Sequence, residues 1–291
     1  QLDSESIAAF RIAVGCVLVA DALLRSRDFW LFFSPEGIFP LNTLQAYLEP
    51  GCWSLNFLNE GLWWQGTMLA AEAAAGLSLI AGYFSSVSCF VAWIVWTSIL
   101  RRTEPAANAG DYWMACLLYW GMFLPLGDMF SIDSLSKKKK EYATISLASA
   151  AFLTQVLVVY LYAGISKLQG DWLNGSAVGY VLSVHDHGTW VGEFLNTSRI
   201  ATSFLTASTL LLEIVGPLLF LFCGNRSMRR YIAFFFILFH IGIWITLSVG
   251  MFSPIGITAW IALIPWRTNR AEPYVEKLEH NQRGWPLFRC P

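Results

Sequence analysis

The chain has 291 residues, of which 56% are hydrophobic and 13% are charged. Soluble domains carry about 25% charged residues, and half of that fraction is too small to cover the surface of a soluble protein of this size. The formal net charge of −1 also argues against nucleic acid as a partner. Composition therefore predicts an all-α integral membrane protein with no sizeable soluble domain.

Eight apolar runs approach or reach the length of about 20 residues that a membrane-spanning helix needs. They predict a bundle of about eight transmembrane helices in a single domain over residues 1–291. The short joint at Phe84-Ser85-Ser86 indicates a helical hairpin between the second and third spans, and Pro254 is typical of a first helical position. The predicted spans are residues 6–24, 61–82, 84–100, 111–127, 144–166, 201–223, 230–249 and 252–266.

With eight spans, the positive charges are distributed unevenly between the two sides of the membrane. Twelve Lys and Arg residues, including the lysine run at 137–140, lie on one side, and six lie on the other. Cytoplasmic loops carry the excess of Lys and Arg, so both termini are predicted to be cytoplasmic. The loops 25–60 and 168–200 then face outward. We expect the lysine run to contact anionic membrane lipid.

Ionisable side chains at membrane depth need a partner or a function. Arg11 and Asp21 lie on one face of the first span, where structural pairing with other helices is the favoured interpretation. Glu72 is surrounded by small residues and is predicted to form a buried hydrogen bond across a tight helix contact. Asp111 precedes an apolar run and is predicted to be a helix N-cap. The full set is Arg11, Asp21, Glu72, Asp111, Lys167, Glu213 and His240.

Glu213 and His240 lie near the middle of the sixth and seventh predicted spans. Pro217 lies four residues after Glu213 and frees its backbone carbonyl. The Glu213 side chain either lines a cavity or is protonated and bonded to a neighbouring helix. His240 is either a packing residue or a functional one. No second histidine lies within helical reach of it, because His185 and His187 fall in a predicted external loop, so no metal site is predicted.

Lys167 ends the fifth predicted span, and Gly164 and Tyr160 precede it by three and seven residues on the same helix face. The small residue beside the lysine would let a flat ligand approach the amine. A lysine in an apolar pocket loses its proton more easily, and it could then act as a general base near neutral pH. The alternative is a lysine at the end of a span that reaches the interface and pairs with Asp171.

Several short motifs occur in an order that resembles the transmembrane core of vitamin K-dependent γ-carboxylase and the wider HTTM family of bacterial membrane proteins. The resemblance covers roughly residues 5–266. The chain is similar in size to bacterial members of the sporulation-delaying protein B type, which implies a bacterial inner membrane. The motifs are Phe10-Arg11-Ile12 with Gly15 and Asp21, Ser34-Pro35-Glu36-Gly37, Asn108 to Trp113, Tyr162-Ala163-Gly164-Ile165-Ser166-Lys167-Leu168 with Asp171-Trp172 and Gly175, and His240 through Gly250-Met251-Phe252-Ser253.

The resemblance implies that a lipid-soluble reduced quinone, of the vitamin K or menaquinol type, is activated in a dry membrane cavity. In the carboxylase, the residue that matches Lys167 is the base, and the residue that matches His240 would line the same cavity. The expected function is quinol-dependent oxygenation, epoxidation or peptide modification. The other candidates for lining the cavity or binding the quinol are Tyr160, Gly164, Glu213, Trp244, Asp111 and Arg11.

One motif departs from the carboxylase pattern. The carboxylase has Asn-Asn-His-Ser-Tyr where this chain has Asn108-Ala109-Gly110-Asp111-Tyr112, so the missing histidine weakens the case for carboxylation. We also expect no substrate-docking domain, because little sequence follows the last predicted span. The alternative function is a non-catalytic maturation or export factor for a secreted peptide. A solute transporter ranks last because the sequence shows no internal repeat.

Overall fold

The computed structural model describes residues 2–135, 146–184 and 188–266. Within these ranges, each predicted apolar run contains a helix of ten or more residues. The long helices are α1 (Ser4–Arg27), α2 (Leu62–Ala81), α3 (Ser85–Arg102), α4 (Ala109–Gly121), α5 (Leu147–Ser166), α6 (Arg199–Phe222), α7 (Arg226–Thr246) and α8 (Phe252–Ile261). Short helical segments occur in the loops at Phe29–Phe33, Leu41–Tyr47, Leu55–Leu58, Glu104–Ala106, Ile132–Leu135, Gly170–Leu173, Ala177–Ser183 and Trp190–Asn196.

Four helices in the described ranges, α1, α5, α6 and α7, are long and apolar enough to cross a membrane. The chain is therefore an all-helical integral membrane protein over the part that the structure describes. The predicted count of about eight spans is not confirmed. With 13 and 10 residues, α4 and α8 are about 20 and 15 Å long, which is less than the roughly 30 Å of a bilayer's apolar core.

Prolines explain why α4 and α8 end before their predicted boundaries. Pro125 has no N–H to donate, so a helix cannot continue through it without losing a hydrogen bond. The chain instead turns after Gly121, and the Leu124 N–H donates to the Gly121 carbonyl at 2.9 Å. Helix α8 likewise ends at Ile261, before Pro265.

Parts of the topology prediction concern residues outside the described ranges. These are the lysine run at 137–140, the positive residues after Trp266, and His185 and His187. Most of the charge asymmetry depends on these residues, so the cytoplasmic location of both termini remains a prediction.

Helices α1 and α2 make a very close contact through two glycines. A Cβ added to Gly15 would lie 2.6 Å from the Gly76 carbonyl oxygen, and one added to Gly76 would lie 2.8 Å from that of Gly15. Only glycine therefore fits at either position without moving a backbone. This contact confirms the close helix approach that the small residues around Glu72 predicted.

Arg11 closes the C-terminal end of α2. Its buried guanidinium donates to the carbonyls of Leu79, Ile80 and Phe130. These groups include carbonyls that the end of a helix leaves without partners. Gly82 follows the helix in the left-handed conformation at φ 68°, and a Cβ there would collide with the guanidinium. The predicted structural pairing of Arg11 with another helix is therefore confirmed.

The joint between α2 and α3 is a tight hairpin, as predicted. Phe84 adopts a left-handed conformation at φ 43° and directly precedes α3. The Asp133 carboxylate accepts hydrogen bonds from the backbone N–H groups of Phe84 and Ser85 at 2.9 and 2.8 Å. A negative charge at this position complements the N-terminal end of the α3 dipole.

The C-terminal helices pack around an aromatic cluster that also contacts α5. The rings of Phe236 on α7 and Trp260 on α8 stack with centroids 4.0 Å apart. Tyr160 on α5 packs at 4.5 Å from Phe236 and 5.5 Å from Trp260. Large apolar side chains on the opposite faces of α6 and α7 are exposed, as lipid-facing residues are: Phe204, Leu211, Phe222, Phe234 and Phe235.

The N-terminal residues are joined to the last helices of the described chain. Asp3 forms an ion pair with Arg226 at the start of α7. The Ser6 hydroxyl donates to the carbonyl of Ile264, just beyond α8. Helix α1 is thereby held at its N-terminal end by the last part of the described sequence.

Candidate functional site

Lys167 forms an ion pair with Glu213 across the contact between α5 and α6. Its Nζ donates to Glu213 Oε2 at 2.6 Å, and the two side chains are 22% and 8% exposed. The ammonium also lies 5.2 Å from the centre of the Trp172 ring, within the range of a cation–π interaction. The alternative pairing with Asp171 is not formed, because the Asp171 carboxylate instead accepts from the Ser176 hydroxyl at 3.0 Å.

Gly164 lets α6 come close enough for this pair to form. A Cβ at Gly164 would lie 2.6 Å from the Ile214 side chain and 3.2 Å from Glu213 Cβ. Glu213 is mostly buried and bonded to a neighbouring helix. It therefore forms the predicted bond to a neighbouring helix, but as the acceptor of the Lys167 ammonium rather than as a protonated acid. In this arrangement Nζ acts as a donor rather than as the free amine that a general base requires.

A second polar pair lies two helical turns further along the same face of α5. The Tyr160 hydroxyl lies 2.6 Å from His240 Nε2, and both residues are buried. Seven residues separate Tyr160 from Lys167, which places the two pairs about 10 Å apart along the helix. Helix α5 thus connects a charged pair near its end with a neutral pair in the aromatic cluster.

The His240 ring is enclosed by residues from three helices. Trp113 on α4 lies 6.2 Å from the imidazole, and Phe252 on α8 lies 5.6 Å from it. A Cβ at Gly256 would collide with the ring. The close packing agrees with the packing interpretation of His240, whereas its hydrogen bond to Tyr160 agrees with a functional one.

Several buried polar atoms around His240 have no hydrogen-bond partner among the described residues. They are Nδ1 of His240 itself, Nε1 of Trp113 and the hydroxyl of Ser253. Ser253 lies between Phe252 and Gly256, which both border the imidazole. An unpaired buried polar group costs about 1–3 kcal/mol. Unpaired donors and acceptors of this kind can be satisfied by a bound polar group or by buried water.

Three of the predicted site residues are not members of either polar pair. Trp244 is 56% exposed on α7, while Arg11 is bonded to the end of α2. Asp111 is not the N-cap of α4, so that prediction was wrong. Asn108 is the N-cap, and Asp111 at the third helical position accepts from the Asn108 N–H at 2.8 Å in a capping box.

Asp111 also accepts from Arg25 at 3.1 Å, a contact that sequence reasoning missed. The position of Arg25 after the first predicted span places it in the external loop 25–60. The spacing of Asp21 and Arg25 could have indicated that Arg25 forms ion pairs, because residues four apart on a helix are neighbours. Arg25 binds Asp21 at 2.5 Å through this spacing.

Two further observations concern where a metal ion or a small molecule could bind. Across residues 2–135, 146–184 and 188–266, no group of three or more His, Cys, Asp or Glu side chains could hold a metal ion. A cavity of about 420 Å³ lies in the loop before α2, lined by Gln45, Glu49, Cys52 and Phe57 among others. This cavity is formed by a different part of the chain from the two polar pairs.

Comparison with known proteins identifies the family. No solved structure matches the chain. A family model described as the HTTM domain matches residues 1–265, a range that includes all eight long helices and both polar pairs. The chain therefore belongs to the HTTM domain family.

Proposed function

We propose that this protein is a membrane enzyme in which the Lys167–Glu213 pair takes a proton from a lipid-soluble reduced quinone. The observation that carries the proposal is the 2.6 Å hydrogen bond between Lys167 Nζ and Glu213 Oε2. It gives the lysine a built-in proton acceptor. The membership in the HTTM family supports the same function, because the carboxylase that the sequence resembles uses the matching lysine as its base.

The proton transfers can be written with the residues of the chain alone. Lys167 Nζ first passes one proton to Glu213 Oε2, which leaves a neutral amine and a neutral carboxylic acid. A low-dielectric setting favours this uncharged form over the ion pair. The free electron pair on Nζ then accepts the proton of an acidic hydroxyl, so one proton is stored on Glu213 for each proton taken up.

Tyr160, His240, Trp113 and Ser253 are proposed to hold one end of the headgroup, so the hydroxyl that loses its proton is the one at the opposite end, toward Lys167. When bound, a reduced quinone of the vitamin K or menaquinol type would supply the acidic hydroxyl and the reducing equivalents for oxygenation. The surrounding aromatic side chains exclude water, which protects a strong base from being quenched. The substrate peptide, if the reaction modifies one, and the bacterial inner membrane belong to the same proposal.

The ion pair also favours a second function. A lysine that is fully engaged by a carboxylate can hold two helices together without taking part in chemistry. In that case the protein is a non-catalytic factor for the maturation or export of a secreted peptide, and the Lys167–Glu213 pair is structural.

The deciding experiment measures quinol turnover by the purified protein in vesicles that contain menaquinol and are exposed to air. Oxidised and epoxidised products are quantified by mass spectrometry. We expect Lys167→Met to lower the rate at least about 100-fold, the usual contribution of a general base. Arg199→Met removes an exposed cation from the start of α6 and is expected to keep the wild-type rate.

Exchanging Lys167 and Glu213 distinguishes the enzymatic function from the structural one. The double variant Lys167→Glu, Glu213→Lys restores the ion pair and is expected to restore stability but not turnover, because the amine now lies on α6. Turnover that survives in Lys167→Met would contradict the base role. The structural function would be established instead by two results together. The wild type would show no quinol turnover, and the exchanged pair would restore peptide maturation.

A further inference from the structure

A second group of charged side chains lies between α1, α2 and α4, apart from the Lys167–Glu213 pair. The group consists of Asp21, Arg25, Glu72 and Asp111. Arg25 is the only cation of these four and binds Asp21 Oδ2 at 2.5 Å and Asp111 Oδ1 at 3.1 Å. Arg25 also donates to the Thr103 hydroxyl at 3.0 Å. Glu72 on α2 faces the same group. Helices α1 and α2 run antiparallel, and Gly76 meets Gly15 and Val19, so Glu72, one turn before Gly76, lies beside the turn of α1 that carries Asp21.

Glu72 is the residue that this arrangement leaves without a partner. The side chain is completely buried, and neither carboxyl oxygen has a hydrogen bond within the described parts of the chain. No group of the described residues donates to the Glu72 carboxyl, so the predicted hydrogen bond across the helix contact requires Glu72 itself to be the donor. An ionised carboxylate in this position would have neither water nor a hydrogen-bonded cation, a state that membrane proteins avoid.

If all three carboxyls were ionised, the group would hold three negative charges against the single guanidinium of Arg25, whereas a neutral Glu72 leaves only the two carboxylates that Arg25 bonds directly. Asp111 is stabilised by Arg25 and by the Asn108 N–H at the N-terminal end of α4. Asp21 is stabilised by its direct bond to Arg25. No positive group of the four is left for Glu72. Glu72 and Asp21 lie at the same level of the antiparallel contact between α1 and α2, but two carboxylates are both acceptors and cannot bond until one carries a proton.

We propose that Glu72 and Asp21 form a proton-binding site in which one proton is shared between their carboxyl groups. Glu72 donates to Asp21, and Asp21 accepts from both Glu72 and Arg25. The ligand of this site is the proton itself, which needs no cavity. A metal ion is not supported, because the described residues include no group of three or more His, Cys, Asp and Glu that could hold one.

The site lies at the contact that fixes α1 against α2. While Glu72 holds the proton, the Arg25 guanidinium can form its hydrogen bonds to Asp111 and Thr103. If Glu72 lost this proton, a third carboxylate would compete for the same guanidinium. Proton binding is therefore coupled to the connection between α1 and α4.

Infrared spectroscopy of the purified protein tests the proposal directly. At neutral pH, the wild-type spectrum minus the Glu72→Gln spectrum is expected to contain the carbonyl stretch of a protonated carboxylic acid, shifted in deuterium oxide. The matched control Glu193→Gln removes an exposed carboxyl and is expected to leave this band unchanged. A difference spectrum that shows only the bands of an ionised carboxylate overturns the proposal.

Thermal unfolding supplies a second measurement. Glutamine has the shape of a neutral glutamic acid and can donate to Asp21, so Glu72→Gln is expected to unfold within about 2 °C of the wild type. Failure of Glu72→Gln to fold would also overturn the proposal. Asp21→Asn removes the charged acceptor of the shared proton and is expected to shift the Glu72 carbonyl band. An unshifted band would show that Asp21 does not share the proton.

Discussion

Tyr160 and His240 share a hydrogen bond in the buried aromatic cluster. Tyr160→Phe removes the hydroxyl and leaves His240 Nε2 without its partner. We expect the variant to lose about 1–3 kcal/mol of stability, because a buried polar group is left unpaired. Tyr162→Phe is the matched control, since that ring is 75% exposed on another face of α5. Thermal unfolding in detergent measures both, and equal stability of the two variants would contradict the expectation.

Arg11 is a residue whose importance is structural. Replacing it by methionine keeps most of the aliphatic packing but removes the donors to the Leu79, Ile80 and Phe130 carbonyls. We expect a loss of about 3 kcal/mol in unfolding free energy, because hydrogen bonds from a charged donor are the stronger ones. Arg27→Met changes an exposed arginine on the same helix and is expected to stay within about 0.5 kcal/mol of the wild type.

The candidate residues could be found from sequence, but their partners could not. Lys167 and Glu213 were both selected as charges at membrane depth, yet 46 positions separate them, and sequence spacing favoured Asp171. The chain turns at Gly175, which has φ 76°, and this turn brings Ser176 back to Asp171. Pairs that depend on the crossing of two helices leave no local signal in the sequence.

At the scale of helices, Gly164 controls the distance between α5 and α6. Gly164→Ala places a Cβ against Ile214 and is expected to cost about 1–3 kcal/mol through overpacking. It is also expected to reduce quinol turnover, because the Lys167–Glu213 hydrogen bond depends on this approach. Gly242→Ala is the control, since a Cβ there meets no atom within 4 Å. Its unfolding free energy is expected to rise by about 0.5–1 kcal/mol.

The existence of the long helices was predictable, while their ends and the loop helices were less so. Long apolar runs satisfy the backbone internally, so a helix is the expected structure for each. The end of α4 was missed because the apolar run continues beyond Gly121, although Pro125 offered a signal. The short helix Trp190–Asn196 was missed because its start depends on Thr189, which bonds the carbonyl of Ile245 on α7 at 2.6 Å.

At the scale of the whole molecule, the topology can be tested with single cysteines in a cysteine-free background. Eight spans place Ser26 and Ser198 outside and Leu135 inside; all three are exposed. A membrane-impermeant thiol reagent added to intact cells is expected to label Ser26→Cys and Ser198→Cys. It is expected to label Leu135→Cys only after the cells are opened. Labelling of all three in intact cells would rule out the eight-span topology.

The ion pair between Asp3 and Arg226 and the bond from Ser6 to Ile264 have a consequence for biosynthesis. A ribosome completes α1 first, but Arg226 and Ile264 emerge only after most of the chain has been translated. The first helix must therefore insert into the bilayer before these two partners are synthesised. Its final packing is reached only after the last helices have been inserted.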